Sequence, residues 1–127
     1  MATIPPQLQE DVGAELLLDD SLMLLSFRTS GEEFHQQFTR SEWLLVKSLV
    51  ASYPQSLLHE QLYAAFCSTS VEESRRILQQ AKNQRRFQNE IGRMHDALYR
   101  AKPKLRTMHL TIASIRNRGY RLYAVTH

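Results

Sequence analysis

The chain has 127 residues, of which 43% are hydrophobic and 23% charged, which suits one globular domain and is too short for two ordinary ones. No apolar run approaches the roughly 18 to 20 residues that cross a bilayer, so neither a membrane-spanning helix nor a membrane partner is expected. The net charge of +3 hides a division, because residues 1–74 hold 3 Lys or Arg against 11 Asp or Glu, whereas residues 75–127 hold 13 against 2.

The first 13 residues, MATIPPQLQEDVG, predict a flexible arm, since Pro5, Pro6 and Gly13 oppose regular structure. They contain no basic stretch followed by an apolar core, so a signal peptide is not expected. The chain has one cysteine, Cys67, which excludes an internal disulfide framework and favours the reducing cytoplasm. Residues 14–127 are predicted to form the folded domain.

Three short apolar segments, ELLL, LMLLSF and EFHQQF, follow the arm. The turn-forming sequences DDS and TSGE separate them, and brief apolar runs between such turns are typical of a small antiparallel sheet. The LMLL run on its own is equally compatible with a helix. We expect three strands here.

Two helices are predicted next. Thr39 and Glu42 have the spacing of a capping box, in which each side chain bonds a backbone N–H at the start of a helix. Apolar residues then recur at helical spacing until Pro54, at Trp43, Val46, Leu49 and Val50. A shorter helix is predicted in LLHEQLYAAF, with a shared face assigned to the core: Leu58, Leu62 and Phe66.

Residues 70–100 predict a further pair of helices. Ser70 and Glu73 repeat the capping-box spacing, so the first helix should begin at Val71. Two apolar sets fall on nearly opposite sides of one ideal helix, so either the helix breaks near residues 82–84 or one long helix turns its first half to a different partner. We favour a break or loop there. The first set is Val71, Leu78 and Ala81, and the second is Phe87, Ile91, Met94 and Leu98.

The second helix of this pair, predicted over residues 85–100 and ended by Pro103, has a polar face opposite its apolar stripe. That face carries Arg85, Asn89, Gly92 and Asp96, flanked by Arg86 and Arg93. Arginine and asparagine have the donor and acceptor pairs that match guanine and adenine edges in the major groove. A solvated surface is the alternative, because both residue types are also common there.

The C-terminal runs LTIASI and YRLYAV are joined by RNRG, which predicts a β-hairpin with Gly119 at its turn. Arg116, Arg118 and Arg121 place three positive charges within six residues of this hairpin. The predicted fold class is therefore α+β, with an N-terminal antiparallel sheet, a helical core and a C-terminal hairpin.

These elements, in this order, resemble the winged-helix DNA-binding domain of OmpR/PhoB-type response regulators. RRFQNEIGRMHDAL followed by IASIRNRGYRL is similar to the recognition helix and wing of that family, whose wing ends in Gly-Tyr-Arg-Leu. FTRSEWLLVKSLVASYPQSLLHEQLY is similar to its first two helices, which open on a T-x-x-E motif, and the three strands match its preceding sheet. The resemblance covers about residues 15–125.

The resemblance implies a bacterial transcription regulator with a winged helix-turn-helix fold that binds double-stranded DNA sequence-specifically. Its recognition helix would enter the major groove with Arg85, Asn89 and Arg93, while Arg86 would contact phosphate. No other ligand or cofactor is implied.

The resemblance also implies a role for the hairpin. Residues 114–121 would form the wing, which in the family lies along the backbone or in the minor groove, where a narrow groove favours arginine. Its contact residues would be Ser114, Arg116 and Arg118, with Tyr120 packed behind them.

The chain departs from the family in three respects. The receiver domain has no counterpart, so we expect a stand-alone regulator that aspartyl phosphorylation does not control. Residues 67–84 are longer than the family's loop, which contacts the transcription machinery. They are interpreted either as a surface for RNA polymerase or another regulator, built on Val71, Leu78 and Ala81, or as a neutral insertion. In the recognition helix, Glu90, His95 and Asp96 occupy positions where the family more usually has basic or neutral residues.

The charge division favours a polyanion partner, because the basic half contains both the helix and the hairpin, although a solvated basic face remains the alternative. Two function classes stay open. One is a transcription regulator, acting alone or as a homodimer on repeated half-sites. The other is a winged-helix adaptor or anti-activator that acts mainly through protein contacts. Duplex RNA remains open as a partner, whereas no exposed aromatic motif favours single-stranded RNA.

No catalytic constellation is found in the sequence, which lacks a Ser/His/Asp or Cys/His order and a glycine-rich phosphate loop. The five histidines have no ligand-type spacing, so neither a metal nor a cofactor is expected. Cys67, beside Phe66 at a helix end, is interpreted as a small buried residue rather than a nucleophile. The protein is therefore not expected to be an enzyme.

Overall fold

The computed structural model describes residues 4–116 and 118–125. Residues 1–3 of the predicted arm, residue 117 in the predicted wing and residues 126–127 lie outside this part. The described elements, in chain order, are α1 (Pro6–Val12), β1 (Glu15–Asp19), β2 (Leu24–Arg28), β3 (Glu33–Gln37), α2 (Arg40–Ser52), β4 (Leu57–Leu58), α3 (His59–Cys67), α4 (Val71–Asn83), α5 (Phe87–Arg106), β5 (Leu110–Ile115) and β6 (Gly119–Ala124). They confirm the α+β class.

The three predicted N-terminal strands form one antiparallel sheet in the order β1-β2-β3. Leu16 pairs with Phe27 and Leu18 with Leu25, and more buried side chains alternate with more exposed ones along β1 and β2. Leu16, Leu25 and Phe27 are buried in the core. One face of this sheet therefore covers the helices, and the other faces solvent.

The predicted flexible arm is a helix over most of its length. Pro6 is the first residue of α1, where its missing N–H has no helical partner to lose, and Gly13 ends the helix in the left-handed conformation with φ of 74°. Leu8 is fully buried, and the Tyr53 hydroxyl donates a hydrogen bond to the Asp11 carboxylate. The prediction of a flexible arm is wrong for residues 6–12. Their local sequence has a weak helix tendency, but the burial of Leu8 against distant parts of the chain stabilises the helix.

The capping box at the start of α2 is confirmed. The Thr39 hydroxyl accepts the Glu42 N–H at 3.3 Å, and the Glu42 carboxylate accepts the Thr39 N–H at 3.0 Å. The predicted apolar face of α2 is buried, and Trp43 also donates through Nε1 to Asp20 at 2.9 Å. In α3 the predicted core residue Leu62 is buried, whereas Leu58 lies before the helix, in β4, and is exposed.

The predicted break between α4 and α5 is also confirmed. Ser70 caps α4 by accepting the Glu73 N–H at 3.1 Å, and the helix ends at Asn83. Arg85 has a φ of 57°, so it lies in the left-handed region and not on a helix face. Its assignment to the recognition helix is wrong, because α5 begins only at Phe87.

Helix α5 continues through Pro103 to Arg106, although the sequence predicts that Pro103 ends it. A proline inside a helix costs about 3 kcal/mol, because it removes a backbone hydrogen bond and its ring clashes with a carbonyl of the preceding turn. Leu105 and Met108, which follow the proline, are fully buried and offset this cost. None of the helices in the described part of the chain is both long enough and apolar enough to cross a membrane.

The predicted C-terminal hairpin is formed by β5 and β6, and the short strand β4 adds to it in the order β4-β6-β5. Leu57 pairs with Tyr120 and Leu58 with Gly119. A Cβ on Gly119 would lie 1.8 Å from the Leu57 carbonyl oxygen, so only glycine permits this approach. The strand between α2 and α3 thus joins the hairpin to the helices.

Candidate nucleic-acid interface

The buried and exposed faces of α5 are clearly separated. The predicted stripe is buried at Ile91, Met94 and Leu98, and Phe87 packs against it as a partly buried residue. Its opposite face is exposed, including Asn89, Arg93, Asp96, Tyr99 and Arg100. The first two turns of α5 therefore present two amides, from Gln88 and Asn89, and one guanidinium, from Arg93, to solvent.

Two further predicted contact residues lie at the entrance to α5. Arg86 is the N-cap residue, is exposed, and its Nε donates to Gln84 Oε1 at 2.9 Å. Arg85 precedes it in the turn and is exposed as well. The structure thus places both residues beside the first turn of the helix, while Arg85 does not share the face of Asn89 and Arg93.

The predicted wing residues Ser114, Arg116 and Arg118 are exposed. The carbonyl oxygen of Arg118 accepts the backbone N–H of His59 at 3.1 Å, which ties the hairpin turn to the start of α3. Tyr120 is half-buried behind these residues and packs against the core, as predicted. The turn is therefore positioned by α3 and by the sheet.

A groove of about 280 Å³ separates α5 from the hairpin. Its lining residues are His95, Leu98, Tyr99, Lys102, Ser114 and Tyr120. Tyr99 is 76% exposed, which is unusual for a side chain of this size. Tyr99 and Lys102 were not among the predicted contacts, although with His95 they follow the i, i+4, i+7 spacing of one helix face.

Aromatic rings fill the space beneath this groove. The centroids of the His59 and His95 rings lie 6.5 Å apart, and Tyr120 lies 5.6 Å from His59 and 5.8 Å from His95. Phe87 packs edge-on against His59 at 5.8 Å. Burial, helped by His95, lowers the pKa of His59, and burial raises the pKa of Tyr120. These rings therefore join α3, α5 and β6.

Two of the three residues that depart from the family pattern are half-buried and contact other side chains. Glu90 accepts a hydrogen bond from the Tyr63 hydroxyl at 2.9 Å, and burial together with this bond raises the pKa of Tyr63. His95 belongs to the ring cluster. Asp96 is exposed and borders a hollow that Arg93 also lines. Only Asp96 therefore lowers the positive charge of the exposed face directly.

The predicted partner-binding residues do not form a common exposed surface. Leu78 is 4% exposed and Ala81 1%, whereas Val71 is 37% exposed. Leu78 and Ala81 are buried because α4 packs against α3 and α5. The prediction is wrong for these two residues, and the outer face of α4 is polar.

Cys67 is exposed at the end of α3, so its interpretation as a buried residue is wrong. Ser68, which follows it, has a φ of 54° and ends the helix, and this places Cys67 at the surface. Among residues 4–116 and 118–125, no group of three or more His, Cys, Asp or Glu side chains could hold a metal ion.

Comparisons with protein-family models, with curated proteins and with solved structures find no match for this chain. The chemistry of the surface must therefore be inferred from its residues. Exposed arginine, asparagine and serine side chains on α5 and the hairpin, together with the half-buried Lys102, can donate hydrogen bonds to phosphates and base edges.

Proposed function

We propose that this protein is a winged-helix transcription regulator that binds double-stranded DNA sequence-specifically. In this proposal α5 is the recognition helix, the β5–β6 hairpin is the wing, and α2 and α3 complete the helical core. The order of helix, short strand, helices and hairpin supports it, as does the pairing of β4 with β6. So does the resemblance of the sequence to OmpR/PhoB-type domains.

One observation carries the proposal: α5 and the hairpin border one groove, and both expose hydrogen-bond donors beside it. Lys102 on α5 and Ser114 on β5 line this groove, while Asn89 and Arg93 lie outside it on the exposed face of α5. A helix that enters the major groove and a wing beside it would need donors on both elements. A solvated face would not need the two elements to converge.

The residues divide into two proposed roles. Asn89 and Arg93 would read base edges, where each good bidentate contact contributes about 1–3 kcal/mol of discrimination. Arg86, Arg116 and Arg118 would contact phosphates, which supply affinity but not specificity. Arg85, which lies off the helix face, is assigned to phosphate rather than to a base.

The proposal is tested by fluorescence anisotropy of the purified protein with random-sequence duplex DNA over a series of salt concentrations. We expect the logarithm of the association constant to fall linearly with the logarithm of the salt concentration, and the slope of this line counts the neutralised phosphates. Arg86→Gln/Arg116→Gln should reduce the slope by roughly 1.8, about 0.9 for each lost phosphate neutralisation. Arg28→Gln/Arg76→Gln removes two exposed arginines elsewhere and should leave the slope unchanged.

The absence of DNA binding at low salt, from protein with a cooperative unfolding transition, would overturn the proposal. Equal losses in the two double variants would also contradict it, because overall charge and not this surface would then control binding. The same assay with duplex RNA separates the two polyanions, since the narrow major groove of RNA does not admit α5.

The protein-binding alternative is less well supported. It was based on Val71, Leu78 and Ala81, two of which are buried. Any contact of α4 with RNA polymerase, with another regulator or with a second copy of the chain would have to use its polar face.

A further inference from the structure

A second, smaller cleft lies between α4 and the hairpin turn. Its volume is about 150 Å³. Its polar lining comes from three elements, namely Arg75, Gln79 and Lys82 on α4, Arg118 in the hairpin turn, and His59 and Glu60 at the start of α3. Because one water takes about 30 Å³ of the liquid, the cleft has room for a tetrahedral oxyanion.

The charges in this cleft are unbalanced. Arg75, Lys82 and Arg118 supply three cations, while Glu60 is the one carboxylate in the lining and pairs with Arg75 at 3.3 Å. Within the described part of the chain, neither Lys82 nor Arg118 has a carboxylate within ion-pair distance. Converging cations repel one another, so an anion between them would relieve an unfavourable interaction.

The cations are held by packed parts of the fold. Lys82 Nζ lies over the Phe87 ring, 4.9 Å from its centroid, and Leu78 buries the adjacent turn of α4. The backbone of Arg118 is held by the hydrogen bond from His59. Cations that are already positioned lose less conformational freedom on binding than cations on a mobile segment.

We propose that this cleft binds a phosphate group, which Arg75, Lys82 and Arg118 contact from opposite sides. Guanidinium groups match phosphate oxygens in geometry, and lysine acts as a point charge. The phosphate belongs either to a free phosphate-bearing ligand or to the DNA backbone, and in the second case the inference rests on the proposed function. In both cases the segment of residues 67–84 has a binding role through the polar face of α4.

The first arm of the test uses the full chain without DNA. Inorganic phosphate is titrated into ¹⁵N-labelled protein, with chloride at equal ionic strength as the reference, and amide shifts are followed by NMR. For a free ligand we expect saturable shifts at residues 59, 75, 79, 82 and 118. Lys82→Met, which keeps the apolar stem against Phe87, should weaken binding roughly tenfold.

Two matched variants sharpen this arm. Arg76→Gln removes a neighbouring exposed arginine that pairs with Glu73 and lies outside the cleft, and it should leave the affinity unchanged. Glu60→Gln removes the one carboxylate of the lining, and it should tighten phosphate binding several-fold. A gain in affinity cannot be attributed to a loss of folding.

The second arm measures duplex DNA binding against salt for the wild type and Lys82→Met. A slope lower by roughly 0.9 in the variant identifies a backbone phosphate as the occupant. An unchanged slope together with saturable phosphate shifts identifies a free ligand. The absence of those shifts, together with an unchanged slope or with no DNA binding at all, overturns the inference. Phosphate shifts from a protein that does not bind DNA would overturn only the proposed function.

Discussion

The ammonium nitrogen of Lys104 lies 2.6 Å from Oε1 of Glu42, a carboxylate that is only 1% exposed. The same side chain accepts the Thr39 N–H at 3.0 Å and lies 3.4 Å from Nε of Arg100. Burial alone would raise the pKa of Glu42, but these donors lower it overall. One buried charge thus caps α2 and holds α5 against it.

Replacement of this carboxylate tests how much it stabilises the fold. Glu42→Gln keeps the shape but removes the charge, so we expect the free energy of unfolding at pH 7 to fall by about 1.5–3 kcal/mol. Glu33→Gln removes an exposed carboxylate from a surface pair and should change it by less than about 0.5 kcal/mol. Urea denaturation measures both, and equal losses would contradict the assigned role.

The same variant should change the response to acid. The lowered pKa of Glu42 means that the unfolded state binds more protons than the folded state as the pH falls. Its stabilisation is therefore complete above the unfolded pKa, about 4.3, and is lost as the pH falls through the lower folded pKa. The wild-type and Glu42→Gln stabilities should converge in that acidic range.

Local signals in the sequence predicted the two helix starts correctly. Thr39 and Ser70 cap α2 and α4 with their own side chains, and a cap depends only on residues within one turn. The hairpin was predictable for the same reason. The partners of the buried Glu42 were not predictable, since Lys104 lies 62 residues away in the chain and no local pattern links the two.

Gly119 is required by the approach of another strand and not by its own backbone angles. A methyl group there would meet the carbonyl group of Leu57, so Gly119→Ala should separate β4 from β6. We expect a loss of about 1–3 kcal/mol in stability, as for other overpacked positions. Hydrogen exchange would locate the change: the Tyr120 amide should exchange slowly in the wild type and rapidly in the variant. A variant as stable as the wild type would show that the strands do not depend on this contact.

Gly92, on the exposed face of α5, differs from Gly119 in that no neighbouring atom requires a glycine there. A Cβ there would meet nothing within 4 Å, so no contact inside the protein explains a glycine in this helix. Gly92→Ala should therefore raise the free energy of unfolding by about 1 kcal/mol. If DNA approaches this face closely, the same variant should also bind duplex DNA more weakly. A more stable variant with unchanged DNA affinity would remove Gly92 from the proposed interface.

The candidate interface was only partly predictable from helix periodicity. Asn89 and Arg93 were placed correctly, because a regular helix fixes which residues share a face. Arg85 was misplaced, since its left-handed backbone breaks the register before α5 begins. Pro103 predicted the end of the helix too early. The helix continues past it because Leu105 is buried in the core, and this tertiary contact cannot be read from the local sequence.

The ring cluster predicts a pH dependence near neutrality. The pKa of His59 is lowered chiefly by burial, then by His95 and Lys82, while Glu60 opposes the shift. The unfolded chain therefore takes up a proton near pH 6.5 that the folded chain resists, so stability is complete above that pH and falls as the pH decreases towards the folded pKa.

His59→Phe keeps an aromatic ring and removes the titrating group. We expect its stability to vary less than that of the wild type between pH 7.5 and about 5.5 in urea unfolding. His35→Gln, at an exposed position on β3, should retain the wild-type dependence. A wild-type profile in His59→Phe would mean that other groups cause the dependence.

The N-terminal helix was missed because its stability comes from distant contacts. Leu8 is fully buried in the core, so Leu8→Ala should lower the free energy of unfolding by about 2–5 kcal/mol. Gln7→Ala alters an exposed neighbour and should have little effect beyond its bond to Asp11. Thermal and urea unfolding would measure both variants. A Leu8→Ala protein as stable as the wild type would show that residues 6–12 do not pack in solution and that the flexible arm predicted by the sequence is correct.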